Sequence, residues 1–253
     1  MTTSQPLSAT EPSLLHWLSK SLPPTHIEFD KRVICLAEDA QWMETTLKGV
    51  EVRVMEFVPG ERPRLAIQIR FSQGHTPVTL GQHPDLEILI EKGSLSSPLG
   101  EYSQHRYYRL PTLSEARAAD PPFQRAKHMA PDEPALIYVA IGQMMQSDTQ
   151  WREIDTDNEE NWFPGPVDGT DVMPLHGHGS GNVMLVRWNK TAAYKTRIDP
   201  RGEELLVLTG AVYDAQGFYP EGSWLRNPIE TWQAWGAKAG TVAYYKNGHF
   251  KDS

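Results

Sequence analysis

Residues 203–210 read Glu-Glu-Leu-Leu-Val-Leu-Thr-Gly, and residues 217–228 continue as Gly-Phe-Tyr-Pro-Glu-Gly-Ser-Trp-Leu-Arg-Asn-Pro. The first apolar run ends at a glycine and the second ends at Asn-Pro, a pattern that is typical of strand, turn and strand. This hairpin decides the fold because the chain contains a second version of it.

The second version lies in the N-terminal half. Residues 86–93 read Leu-Glu-Ile-Leu-Ile-Glu-Lys-Gly and match residues 203–210 at an offset of 210 − 93 = 117. At the same offset Arg109 matches Arg226. The shared glycines indicate shared turns, because glycine adopts positive φ without steric cost. We interpret the chain as two copies of one all-β domain.

Composition limits the functions that are open to the chain. It has 253 residues and a formal net charge of −8, which argues against nucleic-acid binding because that usually needs a basic face. Cys35 is the only cysteine, so an intrachain disulfide and a cysteine-rich zinc site are excluded. The N-terminus lacks the pattern of a signal peptide, and no apolar run is long enough to span a membrane. We therefore expect a cytoplasmic protein that binds neither nucleic acid nor membrane.

Hydrophobic periodicity divides the chain into four parts. We predict an N-terminal arm over 1–29 with a short helix at 11–22, a first β domain over 30–112, a connector over 113–147, and a second β domain over 148–253. The connector is rich in alanine and proline. The strand predicted within it, at 135–141, either closes the first domain or pairs with the second.

The C-terminal copy carries a family resemblance. Its hairpin at 202–228 and its closing stretch Tyr245-Lys246-Asn247-Gly248-His249 resemble the cupin domain of the ChrR type, which occurs in an anti-sigma factor. The match covers about residues 165–250 and, more weakly, residues 48–112. The resemblance implies an all-β bicupin, two tandem jelly-roll barrels with a short N-terminal helix. Since cupins commonly pair through their sheets, it also implies a possible homodimer.

The resemblance further implies where a metal site would lie. Cupins hold a metal with two His, a Glu and a later His inside the barrel, and Glu203 occupies the position of the Glu. Arg197, Asp199 and Gln233 then stand where the three His would stand. Arg has no lone pair to offer a metal, and its charge would neutralise neighbouring carboxylates. We therefore expect these four residues to bind a ligand without a catalytic metal or other cofactor.

An alternative stays open at the same site. If Arg197 points outward, Asp199, Glu203 and Gln233 form an oxygen-rich set for a divalent cation, with Zn, Fe, Mn or Ni as candidates. The corresponding positions of the first copy are more degenerate; they are Leu80, Gln82, Leu86 and Ala116. Apolar side chains at three of them predict a packed interior without metal.

Other polar residues have simpler interpretations. His176 and His178 lie beside glycines, which indicates an exposed turn. Two pairs of arginines recur in both copies, Arg70 with Arg187 and Arg109 with Arg226. We expect them to form salt bridges within each domain. Three tryptophans are expected to fill the core rather than line a pocket; they are Trp224, Trp232 and Trp235.

Three functions remain open from the sequence. The first is a bicupin that binds a small molecule in its second barrel, with a degenerate metal site. The second is a metal-dependent dioxygenase or hydrolase of a small organic acid or diketone. The third is a regulatory or interaction protein that docks through the N-terminal helix and the connector. Fold resemblance alone does not choose among them.

Overall fold

A computed structural model describes the chain over residues 14, 18, 21–76, 78, 85–97, 100–102, 105–111, 134–194, 197–199 and 201–250. This part is all-β, as predicted, with a short 3₁₀ helix at Glu159–Asn161. The N-terminal helix predicted at 11–22 is not shown, because most of that segment lies outside the described residues. No helix in the described part is long and apolar enough to cross a membrane.

The described residues form 22 strands. The first eleven are β1 (Val33–Cys35), β2 (Met43–Glu44), β3 (Val50–Val58), β4 (Arg64–Phe71), β5 (Leu86–Lys92), β6 (Leu95–Ser97), β7 (Gly100–Tyr102), β8 (Arg106–Leu110), β9 (Ala135–Ile141), β10 (Arg152–Asp155) and β11 (Phe163–Pro164). The others are β12 (Thr170–His178), β13 (Gly181–Trp188), β14 (Ala192–Ala193), β15 (Arg197–Asp199), β16 (Glu203–Thr209), β17 (Ala211–Tyr213), β18 (Phe218–Pro220), β19 (Trp224–Asn227), β20 (Thr231–Gln233), β21 (Gly236–Ala237) and β22 (Val242–Asn247).

Two seven-stranded sheets form the centre of the molecule. The N-terminal sheet has the order β10-β8-β5-β9-β4-β3-β2, and the C-terminal sheet has the order β1-β19-β16-β22-β13-β12-β11. The hairpin that matches between the two copies occupies the same place in both, because β5 pairs with β8 and β9 while β16 pairs with β19 and β22. The outer strands form a sheet β14-β21-β17-β18 and the pairs β15-β20 and β6-β7.

The two large sheets exchange edge strands. Val33–Cys35 pairs with β19 in the C-terminal sheet, and Arg152–Asp155 pairs with β8 in the N-terminal sheet. Strand pairing therefore crosses the predicted domain boundaries in both directions, although the boundaries themselves stay a prediction. The strand within the predicted connector, β9, lies between β4 and β5 and so completes the N-terminal sheet.

The edge hairpins of both sheets contain a similar irregularity. The register of β3 shifts between Val54 and Glu56, and that of β12 shifts between Pro174 and His176. Each shift is a bulge, in which one extra residue bends the strand and re-aims its side chains. Glu56 and His176 therefore occupy equivalent positions, and both side chains are buried.

Successive side chains along the strands point to opposite faces of the sheets, and the buried ones form three apolar cores. In β5, Leu86, Ile88 and Ile90 enter the first core, which also takes in Leu14 and Leu18 from the N-terminal arm. Intervening residues of both large sheets face each other in a central core, and the other face of the C-terminal sheet packs on the outer strands in a third core.

The buried Leu86 agrees with the packed interior expected for the first copy. The other three positions of that degenerate site, Leu80, Gln82 and Ala116, lie outside the described residues.

Candidate ligand site in the C-terminal half

A cavity of about 390 Å³ lies in the third core, between the C-terminal sheet and the outer strands. Its apolar lining includes Val172, Met184, Val186, Trp188, Tyr194, Leu205, Trp235 and Tyr245. Its polar lining consists of Asn182, Arg201 and Asn247. A concave, mostly apolar cavity of this size with a few polar groups is the usual form of a small-molecule site.

Glu203 lies at the start of β16 and is fully buried. Its carboxylate accepts hydrogen bonds from Asn227 Nδ2 at 3.0 Å, from Tyr245 OH at 2.8 Å, and from the indole N–H of Trp235. A buried carboxylate needs such donors, because an unsatisfied one would be costly. Since Trp235 and Tyr245 both line the cavity, Glu203 holds two of its walls in place.

The backbone brings two other predicted site residues together. Arg197 of β15 lies opposite Gln233 of β20, and Asp199 lies opposite Thr231. Opposite residues of antiparallel strands are close enough for their side chains to interact. The structure describes the backbone of Arg197, Asp199 and Gln233 but not their side chains, so the four-residue site stays a prediction.

The cupin fold implies a metal, and the described donors around Glu203 do not fit one. Both carboxylate oxygens of Glu203 accept hydrogen bonds from protein donors, which a metal ion would have to displace. Within the described ranges, no group of three or more His, Cys, Asp or Glu side chains is placed to hold a metal ion.

Glu204 points to the opposite face of the strand, as its position next to Glu203 predicts. Its carboxylate contacts Arg64 at 2.9 Å and His249 at 2.7 Å. Burial opposes ionisation here, but these two partners outweigh it and hold the pKa of Glu204 well below its usual range.

Arg226, opposite Glu204 on β19, pairs with Glu56 of the N-terminal sheet. Glu56 also contacts Arg64 at 2.5 Å. The prediction that the recurring arginines bridge within their own domains is therefore wrong for Arg226, because its buried partner comes from the other half. A buried guanidinium destabilises the fold unless a carboxylate compensates its charge, and that carboxylate can come from either half of the chain.

The recurring arginines near the surface do bridge locally. Arg70 binds Glu51 at 2.7 Å, and Arg187 binds Asp171 at 3.0 Å. Each guanidinium also lies over an indole ring, which is Trp42 for Arg70 and Trp162 for Arg187. These pairs are partly exposed, so we assign them a structural role.

Glu87 is the counterpart of Glu204 in the N-terminal sheet, since 204 − 87 = 117. It accepts hydrogen bonds from Tyr244 OH at 3.0 Å and Lys246 Nζ at 3.1 Å, and pairs with Arg109. Burial raises its pKa, but Lys246 and Arg109 outweigh burial and lower the pKa of Glu87 to about 2. Glu87 is therefore ionised at neutral pH.

One local prediction about side chains needs correction. His176 is buried on β12 and not in an exposed turn; the turn is formed by the glycine-rich residues that follow the strand. Trp224 and Trp235 are buried in the central and third cores, as expected, and Trp235 also lines the cavity. The structure describes the backbone of Trp232 but not its side chain.

Sequence reasoning did not single out Tyr245 and Asn227 as site residues. Strand register would have found them, because Glu203 lies opposite Asn227 on β19 and opposite Asn247 on β22, two residues after Tyr245.

Comparison with known proteins agrees with this geometry. Residues 150–251 match the family model described as the ChrR Cupin-like domain, and no curated protein matches the sequence significantly. Solved structures give TM-scores of 0.61 for protein Ylba from E. coli, 0.55 for the bacterial pirin YhhW from E. coli in complex with nickel(II), and 0.54 for a Cupin 2 conserved barrel domain protein from Leptotrichia buccalis.

Sequence identity to these three proteins is 8%, 10% and 10%, in the same order. The alignments cover 88%, 86% and 89% of this chain, and 93%, 98% and 99% of the other chains. At such identities the likeness shows the fold, which is that of the cupins, and leaves the activity open.

Proposed function

We propose that this chain is a cupin-domain protein that binds a small organic molecule in the cavity of its C-terminal half, without a catalytic metal. The observation that carries the proposal is the cavity itself, about 390 Å³ in volume and lined mainly by aromatic and aliphatic side chains. The same strand order in both large sheets supports the further proposal that the two halves are duplicated cupin domains.

The lining indicates the chemistry of the ligand. Trp188, Tyr194 and Trp235 offer flat apolar surfaces, while the carboxamides of Asn182 and Asn247 offer both donors and acceptors. A planar or aliphatic molecule with one polar group fits this arrangement. Arg201 adds a cation to the lining, which favours a ligand whose polar group is anionic.

The absence of a catalytic metal is argued from the donors around Glu203. Asn227, Trp235 and Tyr245 all donate hydrogen bonds to its carboxylate. These donors satisfy a charge that a metal ion would otherwise satisfy. The pirin comparison, a nickel complex, keeps a metal-dependent enzyme as the alternative function that has to be tested.

The first experiment is a thermal-shift screen of small organic acids and amides against the purified chain. A ligand that binds the folded state raises the melting temperature by mass action. We expect hits that the substitution Val172→Phe abolishes, because Val172 lines the cavity. The control substitution is Ile229→Phe, at a side chain that is 44% exposed. Amide hits, which carry no carboxyl group, that survive Val172→Phe would place the site elsewhere.

Elemental analysis of untagged protein tests the metal-dependent alternative. We expect no stoichiometric transition metal, even after incubation with Fe, Mn, Ni and Zn. About one metal per chain that is lost in Glu203→Ala would overturn the metal-free proposal and make an enzyme the better interpretation.

A further inference from the structure

A second pocket opens between the two large sheets, outside the third core. Its inner volume of about 30 Å³ is lined by Arg109, Asp148, His176, Lys246 and His249, among others. That volume holds about two water-sized atoms. The lining comes from both halves of the chain, so the pocket exists only in the assembled fold.

Two histidine rings of this pocket make the same kind of hydrogen bond, from Nε2 to a carboxylate. The Nε2 atom of His176 lies 2.6 Å from Asp148 Oδ2, and the Nε2 atom of His249 lies 2.7 Å from Glu204 Oε1. In the neutral ring Nε2–H donates a hydrogen bond to the carboxylate, which leaves Nδ1 with a lone pair. Both Nδ1 atoms are buried and have no hydrogen-bond partner in the described part of the chain. An unpaired buried polar atom needs an explanation, and a bound water or ion is one of those that proteins use.

Around Arg226, the counterpart of Arg109 in the C-terminal sheet, the corresponding space is occupied by residues of the N-terminal arm. There Arg226 donates to the carbonyl oxygen of Glu28 at 2.8 Å, and the ring of Phe29 lies 4.6 Å from the guanidinium carbon. Arg109 instead donates to Asp148 at 2.5 Å and lines the open pocket. The fold therefore seals one of two equivalent positions and leaves the other accessible.

The charges around the pocket balance only while both rings are neutral. His176 is faced by Asp148 from the loop after β9, by Arg109 from β8 and by Glu87 from β5; His249 is faced by Glu204 from β16, by Lys246 from β22 and by Arg64 from β4. These three cations and three carboxylates sum to zero. A bound anion would upset the balance unless a proton entered with it.

Burial favours the neutral rings in the empty pocket. It lowers the pKa of His249 to about 4, despite the carboxylate of Glu204. Burial and Arg109 together also lower the pKa of His176. An anion against Nδ1 would reverse this by stabilising the imidazolium.

We propose that this pocket binds the carboxyl group of a small organic acid, taken up together with one proton that resides on Nδ1 of His176 or His249. The imidazolium N–H then donates to the carboxylate, beside the cations of Arg109 and Lys246. A carboxyl group, with two oxygens, matches the room in the pocket, whereas a phosphate with four oxygens exceeds it.

Acetate is the probe for the carboxyl group, and inorganic phosphate is the comparison. Calorimetric titration in two buffers of different ionisation enthalpy measures binding and proton uptake together. We expect acetate to bind with uptake of about one proton, and its affinity to rise about tenfold per unit fall in pH between pH 7 and pH 5. The ring C–H signals of His176 and His249 in NMR spectra should shift with acetate.

Matched variants locate the effect. His176→Gln and His249→Gln each keep a hydrogen-bond donor for the neighbouring carboxylate but remove one titrating ring. We expect the variant that lacks the protonated ring to weaken acetate binding at least tenfold and to abolish the proton uptake. His105→Gln is the control, because His105 also pairs with an aspartate, Asp157, at an exposed place. Binding that is independent of pH, that persists unchanged in both His176→Gln and His249→Gln, or that is tighter for phosphate than for acetate would overturn the proposal. So would wild-type ring signals that no anion shifts.

Discussion

Tyr138 and Tyr244 meet at the middle of the interface between the two large sheets, with ring centroids 5.3 Å apart. Tyr138 lies opposite Leu89 in its sheet, and Tyr244 lies opposite Leu206, residues that are 206 − 89 = 117 apart. The two rings therefore occupy corresponding positions in the two large sheets. The hydroxyl of Tyr244 donates a hydrogen bond to Glu87 at 3.0 Å, and Glu87 in turn forms ion pairs with Arg109 and Lys246.

The buried ion pair between Arg226 and Glu56 gives the first prediction. Arg226→Met should destabilise the fold by about 3–5 kcal/mol, because it leaves part of the charge of Glu56 uncompensated in the interior. Both side chains are at most 1% exposed. Unfolding in urea, followed by circular dichroism, measures the loss.

Arg187→Met is the matched control for that measurement. Arg187 is also an ion-paired arginine that recurs in both copies, but its partner Glu159 is 74% exposed. Such pairs contribute at most about 1 kcal/mol. If Arg226→Met and Arg187→Met lower the free energy of unfolding equally, the buried ion pair does not contribute more to stability than the exposed one, and the prediction is wrong.

The second prediction concerns stability against pH. Folding lowers the pKa of His249 from 6.5 to about 4. The unfolded chain therefore binds a proton in this interval that the folded chain does not, and stability falls as pH is lowered from about 6.5 to 4. The contribution is about 3 kcal/mol. Glu87, whose pKa is about 2 in the fold, extends the loss from pH 4.5 downward, because its stabilising charge disappears as it protonates.

Urea unfolding at pH 7, 6, 5 and 4 tests this dependence. In His249→Gln the fall between pH 6.5 and 4 should be clearly smaller than in the wild type, while the fall below pH 4.5 should remain. A wild-type stability that stays flat from pH 7 to 4 would contradict the burial of a neutral His249.

The alternation of apolar and polar residues in the sequence was sufficient to predict which face of a strand each side chain lies on. Glu203 and Glu204 face opposite sides of β16 because a strand has a period of two, and the sequence shows this directly. The exchange of β1 and β10 is different, because short edge strands join whichever sheet offers a free edge in the folded chain. Neither Cys35 nor its neighbours carry a signal for pairing with Trp224.

The same limit explains the error at His176. Glycines follow it in the sequence, so the local pattern indicates a turn. The bulge in β12 and the loop that brings Asp148 within 2.6 Å depend on contacts between residues that are distant in sequence. The local sequence pattern therefore could not predict which polar side chains, distant in sequence, contact each other in the site.

The third prediction uses Cys35 to report on the exchanged strand β1. Burial raises the pKa of its thiol to about 11, although Arg53 and Arg226 oppose the shift. At pH 8 the thiolate fraction should be about 100-fold lower than in an unfolded chain, with a matching decrease in the rate of reaction with Ellman's reagent. Because the chain has one cysteine, the signal is unambiguous. A folded protein that reacts as fast as the unfolded chain would show that β1 does not stay on the C-terminal sheet.

The last prediction concerns the buried carboxylate of Glu203. Glu203→Ala leaves the donors of Asn227, Trp235 and Tyr245 without their acceptor, which should cost about 2–4 kcal/mol in urea unfolding. Glu203→Gln keeps one acceptor oxygen and should cost about 1 kcal/mol.

NMR distinguishes a role of Glu203 in positioning Trp235 from a role in overall stability alone. The indole N–H signal of Trp235, assigned with Trp235→Phe, should lie downfield in the wild type because its acceptor is a carboxylate, and it should move upfield in Glu203→Gln. If this signal is unchanged while stability falls, Glu203 does not hold the wall through the hydrogen bond that the structure shows. If both change together, Glu203 supports the wall of the cavity through its hydrogen bond to Trp235.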